Sequence, residues 1–240
     1  MWTASTSAPT LRLVAKGSLP FASLAPTAAA SGPPASGEPR QSYHHGNLRA
    51  SLIDATLDLV AERGPHGFTL REVARRAGVS HTAPYRHFPD RAALVAAAAE
   101  RAFAELGERL RAARAAANEL GACAAAYVGF ALEHPARFAV MCGSEAQDGA
   151  VDGLKRAVQP AFEQVLLAAR QLLSGQADGS VGAEALALAA WANMHGIAVL
   201  AATGRWLPLG DVSAERAASD AVELLCAGAL ARTAAARPHD

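Results

Sequence analysis

Lysine is almost missing from this sequence: Lys16 and Lys155 are the only two among 22 basic residues. Contacts to anions therefore fall to arginine, whose planar guanidinium meets phosphate or carboxylate through two N–H groups at once. Neither sign of charge is in excess, with 22 basic residues against 22 acidic, which argues against a globally basic nucleic-acid coat protein. Cysteine is scarce, and Cys123, Cys142 and Cys226 lie far apart with no C-x-x-C pair. That spacing excludes a disulfide framework and fits a reducing cytoplasm. Each thiol reads as a small buried hydrophobe or, alternatively, as a redox sensor. His44 and His45 are adjacent, and adjacent residues do not share a helix face, so no metal site is expected. No G-x-S-x-G, P-loop or H-E-x-x-H occurs. Asp148 and Asp152 sit at a predicted helix start, where acids favour the helix dipole. Neither catalysis nor a cofactor is therefore expected. No stretch alternates apolar and polar residues at period two, so the chain reads as all-α.

What is present is concentrated between Phe68 and Arg91. Thr69 followed by Glu72 fits a capping box, and Leu70, Val73, Ala74 and Ala77 recur at helical spacing. Gly78 ends that helix, and Ser80 is a good N-cap for a second one, over about His81 to Phe88, stopped by Pro89. Two short helices joined through a glycine turn form a helix-turn-helix, whose second helix can enter the major groove of DNA. Arg71, Arg75, Arg76, Arg86 and Arg91 outweigh Glu72 and Asp90 here, a balance that suits a phosphate backbone. His81, Thr82, Tyr85, Arg86 and His87 can all hydrogen-bond bases or phosphates. A solvated helical hairpin with scattered arginines is the plainer alternative. Charge is also uneven along the chain: residues 41–100 hold seven basic and six acidic residues, and residues 101–240 hold 12 and 15. One end alone is suited to a polyanion.

Leu48 to Leu94, with LVAERGPHGFTL, REVARRAGVS and YRHFPDRAAL, resembles the N-terminal domain of the TetR family of bacterial transcriptional repressors. Tyr85-Arg86-His87-Phe88 carries the most specific part of the likeness. The resemblance implies DNA contacts from Thr69, Arg71, Ser80, His81, Thr82, Ala83, Tyr85, Arg86, His87 and Arg91. Of these, Thr69, Arg71 and Arg91 are expected on phosphates, and His81, Thr82, Tyr85 and His87 on the groove. One departure stands out: the family usually has an apolar residue with an N–H where this chain has Pro84. Counted from Ser80, Pro84 falls in the first turn, so at most the first intrahelical bond is expected to be lost.

The expected division is a low-complexity tail over 1–42, a DNA-binding domain over 43–92 linked through a helix over 91–116, and a second domain over 117–235. The tail is rich in Ala, Ser, Thr and Pro and cannot bury enough apolar surface to fold alone. A start codon placed too far upstream would also account for it. Arg12 and Lys16 ahead of Leu19 to Leu24 look like a targeting peptide only superficially, because Pro20 and Ser23 break the run. Arg40 and His44 are candidates for further DNA contacts. The first helix is expected from Leu48 to Arg63, stopped by Gly64-Pro65. Later helices are expected at about 119–133, 135–146, 150–174, 182–203 and 212–234, making a bundle.

Glu133-His134-Pro135-Ala136-Arg137-Phe138 and the Trp191 to Gly196 segment are similar to the C-terminal domain of a TetR subgroup named for its Trp, His and Gly. The resemblance implies dimerisation through helices 182–203 and 212–234, a palindromic operator, and release by a small effector. A pocket for a small apolar effector is expected from Phe103, Tyr127, Phe130, Met141, Phe162, Trp191 and His195. His195 reads first as a satisfied core histidine, next as a ligand contact and last as a pH switch. Leu186 to Thr203 approaches the roughly 20 apolar residues that span a bilayer. Asn193 and His195 at mid-span argue instead for a helix buried in a dimer, with no membrane partner. The expectation is a cytoplasmic homodimeric repressor bound to double-stranded DNA. An architectural DNA-binding protein without an effector is the alternative.

Overall fold

A computed structural model describes residues 48–117, 119–143, 151–174, 182–206 and 211–235. The tail, with Arg40 and His44, lies outside them, as do residues 43–47, Asp148 and the breaks at Gly149, Gly175 and Pro208 to Gly210. Among the described residues every regular element is helical, as an all-α reading requires. The order is α1 (Leu48–Arg63), α2 (Leu70–Arg76), a 3₁₀ turn (Pro84–Arg86), α3 (Arg91–Ala117), α4 (Leu120–Glu133), α5 (Pro135–Cys142), α6 (Val151–Leu172), α7 (Ala183–Ala202) and α8 (Ala214–Ala235).

The short N-terminal helices are held by specific ends. Leu52, Ile53, Leu59 and Val60 bury one side of α1. Gly64 ends it at φ +77°, a conformation that costs glycine little. At the start of α2, Thr69 Oγ1 accepts from the Glu72 backbone N–H at 3.3 Å, while the Thr69 N–H donates to Glu72 Oε2 at 2.9 Å. Both halves of the capping box are thus formed. Gly78 follows at φ +69°, and the Val79 N–H donates back to the Ala74 carbonyl at 3.0 Å, closing the helix end. Val79 then packs against the core.

α3 runs for 27 residues, about 40 Å at 1.5 Å per residue. Asp90 Oδ1 accepts from the Ala93 N–H at 2.7 Å and caps its start. Leu94, Ala98, Ala102, Leu106 and Leu110 form its buried stripe. It touches α1 near its beginning and α4, α5 and α6 further on. In the C-terminal bundle α4 is central, packed on α8, α7, α3, α5 and α6. One described helix, Ala183–Ala202, is long and apolar enough to cross a bilayer by length and composition. Leu188 and Leu200 on that helix and Leu224 on α8 are exposed.

One expected element is corrected. In place of a helix from His81 to Phe88 there is a single 3₁₀ turn over Pro84–Arg86. Pro84 has no N–H to donate to the Ser80 carbonyl, which accepts instead from the Ala83 N–H at 3.0 Å. The His87 and Phe88 N–H groups both converge on the Pro84 carbonyl at 2.9 Å. Ser80 is also not the cap: its hydroxyl pairs with that of Thr82 at 3.3 Å, and the turn has no side-chain cap.

Candidate nucleic-acid interface

The turn that carries the candidate reading residues is anchored from beneath. Pro84 and Phe88 are buried, and the Arg49 guanidinium lies over the Phe88 ring at 5.4 Å. Two ion pairs tie α2 to the end of α1: Arg63 to Glu72 at 2.6 Å and Arg76 to Glu62 at 2.8 Å. Arg63 beside Glu72, with the Thr69 backbone and hydroxyl, holds that carboxyl below its ordinary value. Such surface pairs add little stability singly, and here they supplement the buried Leu70, Val73 and Ala74 of α2.

On this support, Ser80, His81, Thr82, Tyr85, Arg86 and His87 are all exposed, and Ala83 is half-buried. Tyr85 leaves 54% of its surface in solvent, unusual for a large ring with a buried proline beside it. Arg71, Arg75 and Arg86 are exposed and make no ion pair among the described residues. Polar groups suited to base edges and cations suited to phosphates are thus exposed on α2 and on the segment that follows it.

Two expected phosphate contacts already have partners within the chain. The Thr69 hydroxyl donates to Glu72 Oε2 at 3.0 Å, so its proton serves the cap. Arg91 Nη1 donates to the Pro65 carbonyl at 2.6 Å, and its guanidinium lies over Phe68 at 5.4 Å. Arg91 therefore fastens the α1–α2 loop to the start of α3. Sequence reading missed both this and the Arg49–Phe88 contact, because nothing in local spacing links residues so far apart.

In the C-terminal bundle, four of the expected pocket residues meet. The Tyr127 hydroxyl and His195 Nδ1 share a hydrogen bond of 2.9 Å. Trp191 meets Tyr127 edge-on at 5.2 Å and Phe162 at 5.7 Å. Phe138, absent from the expected set, packs against Tyr127 and His195 at 6.4 and 5.8 Å. Phe103 and Phe130 are buried without a ring contact to this group among the described residues, and Met141 is also buried. Burial lowers the His195 pKa and raises that of Tyr127, so both prefer to be neutral. A cleft of about 410 Å³ opens between α3 and α6 beside Gly107, Arg156 and Pro160, and another of about 460 Å³ between α1 and α3 beside Arg49 and Ile53. None of the seven expected pocket residues lines either cleft.

The thiols are poor nucleophiles here. Burial pushes Cys123 up to about 11 and Cys142 up to about 12, and it raises Cys226 as well. A thiolate is scarce at such values, which favours packing over redox sensing.

Comparison with known proteins agrees with this geometry. Residues 52–98 match the family model for bacterial regulatory proteins of the tetR family, and residues 120–225 match that for the tetracyclin repressor-like C-terminal domain. The HTH-type transcriptional regulator BetI of Serratia proteamaculans (strain 568) is 41% identical over 63 residues, 26% of this chain and 32% of the relative. That match spans about a third of the relative's length. A solved protein of unknown function from Rhodococcus sp. RHA1 is 34% identical, with 79% of this chain and 99% of that one covered and a TM-score of 0.67. A TetR family transcription regulator from Marinobacter aquaeolei VT8 shares the fold at 16% identity and a TM-score of 0.57, with 75% of this chain and 95% of that one covered.

Proposed function

The chain belongs to the TetR family of bacterial regulatory proteins, and from that premise we propose that it is a homodimeric, cytoplasmic repressor that binds a palindromic operator and is released by a small effector. The observation that carries this reading is the exposed group His81, Thr82, Tyr85, Arg86 and His87 around an anchored turn, with Arg71 and Arg75 exposed on the preceding α2; none of these three arginines makes an ion pair among the described residues. We assign Arg71, Arg75 and Arg86 to phosphates, and His81, Thr82, Tyr85 and His87 to base edges. Thr69 and Arg91 then act chiefly by holding α2 and α3 in place. Residues 43–92 form the reading head, residues 117–235 the effector and dimerisation domain, and α3 joins the two.

The exposed apolar side chains of α7 and α8 support pairing with a second copy, since Leu188 is 61% and Leu224 75% exposed. A two-fold dimer presents two heads to two half-sites. The Tyr127–His195 pair within its aromatic group is the place we propose for the effector, with one polar contact in apolar surroundings. Binding there that favours one head spacing over another would release DNA through its differential affinity for the two states.

The test is the symmetry of the sites that the intact protein selects from random duplex DNA, compared with those of Leu188→Glu. That substitution places a charge on the dimer face and should yield a monomer. Wild type should select two-fold symmetric sites, and the variant should lose them while keeping salt-sensitive binding to single half-sites. A variant that stays dimeric with unchanged sites would remove α7 from the interface.

A further inference from the structure

α3 carries a face that neither the reading turn nor the aromatic group uses. Arg101, Glu105 and Arg109 recur every fourth residue, so they stand in a row along one side of the helix. Between them they reach three other helices. Arg101 Nη1 donates to Asp54 Oδ1 on α1 at 2.6 Å, and its Nε donates to Glu105 Oε1 at 3.1 Å. The other oxygen of Glu105 lies 2.5 Å from Nε of Arg137 on α5, an ion pair by distance whose angle falls short of a hydrogen bond. Arg109 Nη1 and Nη2 donate to the two carboxylate oxygens of Glu133 on α4 at 2.5 and 2.6 Å. Gly129 makes room for this fork, since a Cβ there would lie 2.9 Å from Arg109 Nη2. Arg109 beside Glu133 holds that carboxyl below its ordinary value.

α1 belongs to the proposed reading head and α4 and α5 to the C-terminal domain, so the row bridges the two. We infer that Arg101, Glu105 and Arg109 fix the angle at which the head is carried, and so determine which half-site spacing the dimer accepts. The inference rests on the dimeric operator reading. Each pair is half-exposed and contributes little to stability by itself. Directional contacts to three helices nevertheless oppose rotation of one unit against the other, and a bidentate pair adds geometric selectivity. Looser heads would still read bases, but would accept a wider range of spacings. The partners of the row share helices with the aromatic group: Arg137 precedes Phe138 on α5, and Glu133 lies on α4 with Tyr127. A shift of either helix would therefore reach the head through these pairs.

The experiment measures affinity for the selected operator, for operators with its spacer one base pair longer or shorter, and for an isolated half-site. One base pair moves the half-sites by about 3.4 Å along the axis. Glu105→Gln, which breaks two of the pairs, should lower the preference for the natural spacing about fivefold, with half-site affinity kept within about twofold. Glu133→Arg, which sets two cations together, should do the same, and Arg109→Glu combined with Glu133→Arg should restore the preference. Unchanged spacing preference in both single variants, or an exchange that restores nothing, would overturn the role given to the row. A wild-type protein that selects no two-fold site would overturn the operator reading instead.

Discussion

At the scale of the residue, side chains proposed to read DNA differ from side chains that hold the fold. Tyr85 is exposed beside a buried proline, and its ring makes no aromatic contact among the described residues. Tyr85→Ala should lower operator affinity by roughly tenfold or more, the weight of a good base contact, and relax sequence preference while leaving the dimer intact. Arg71→Ala should instead weaken binding evenly across sequences and lower the salt slope by about one. Titrations against matched and mismatched duplexes at several salt concentrations distinguish the two, and unchanged affinity in Tyr85→Ala would remove that residue from the interface. His195 supplies a different test. Its pKa is lowered by burial among Tyr127, Phe138 and Trp191. The unfolded chain therefore binds a proton there more readily than the fold does. The stability this neutral histidine confers is full above its ordinary value of about 6.5 and falls away as pH drops towards the lowered one. Melting of the wild type should decline more steeply from about pH 7 to about pH 5 than melting of His195→Gln. Parallel curves would contradict a buried neutral imidazole.

At the scale of the element, helix ends were the most legible feature. The Thr69–Glu72 box, Gly64 and Gly78 act through local backbone chemistry that spacing alone announces, and each stands where expected. Thr69→Ala should cost about 1 kcal/mol and lower the melting temperature by about 2–4 °C, with Thr69→Ser close to wild type. An alanine variant as stable as the parent would mean that the ion pairs from Arg63 and Arg76, not the cap, hold α2. The reading helix was misjudged by one hydrogen bond. Counting from Ser80 predicted that Pro84 removes a single bond, but the freed Ser80 carbonyl turned to Ala83, and the segment tightened into a 3₁₀ turn. Its side chains are still presented outward, so the surface was legible even though the helix was not.

At the scale of the whole molecule, legibility depended on distance along the chain. The Arg101, Glu105 and Arg109 spacing is visible in the sequence, but Asp54 lies 47 residues from Arg101 and Glu133 lies 24 from Arg109. Only packing chooses such partners. The same limit governed the aromatic group. Tyr127, Phe162, Trp191 and His195 were all recognisable as residues on apolar helices, yet periodicity does not say which ring meets which. It thus omitted Phe138 and included Phe103, Phe130 and Met141. The all-α architecture, the order of the helices and most of their limits followed from patterning, because amphipathic stripes and glycine or proline breaks are local signals. Residues 52–98 and residues 120–225 match two separate family models, and α3 runs from the first match towards the second.

The central claim, sequence-specific binding by a symmetric dimer, is tested most directly by enriching sites from random duplex DNA at two salt concentrations. The account predicts one two-fold symmetric sequence at both, with half-site centres about 34–36 Å apart or slightly more. Enrichment of no sequence, with binding that vanishes at the higher salt, would leave phosphate attraction alone. That result would contradict the repressor reading and favour an architectural DNA-binding protein.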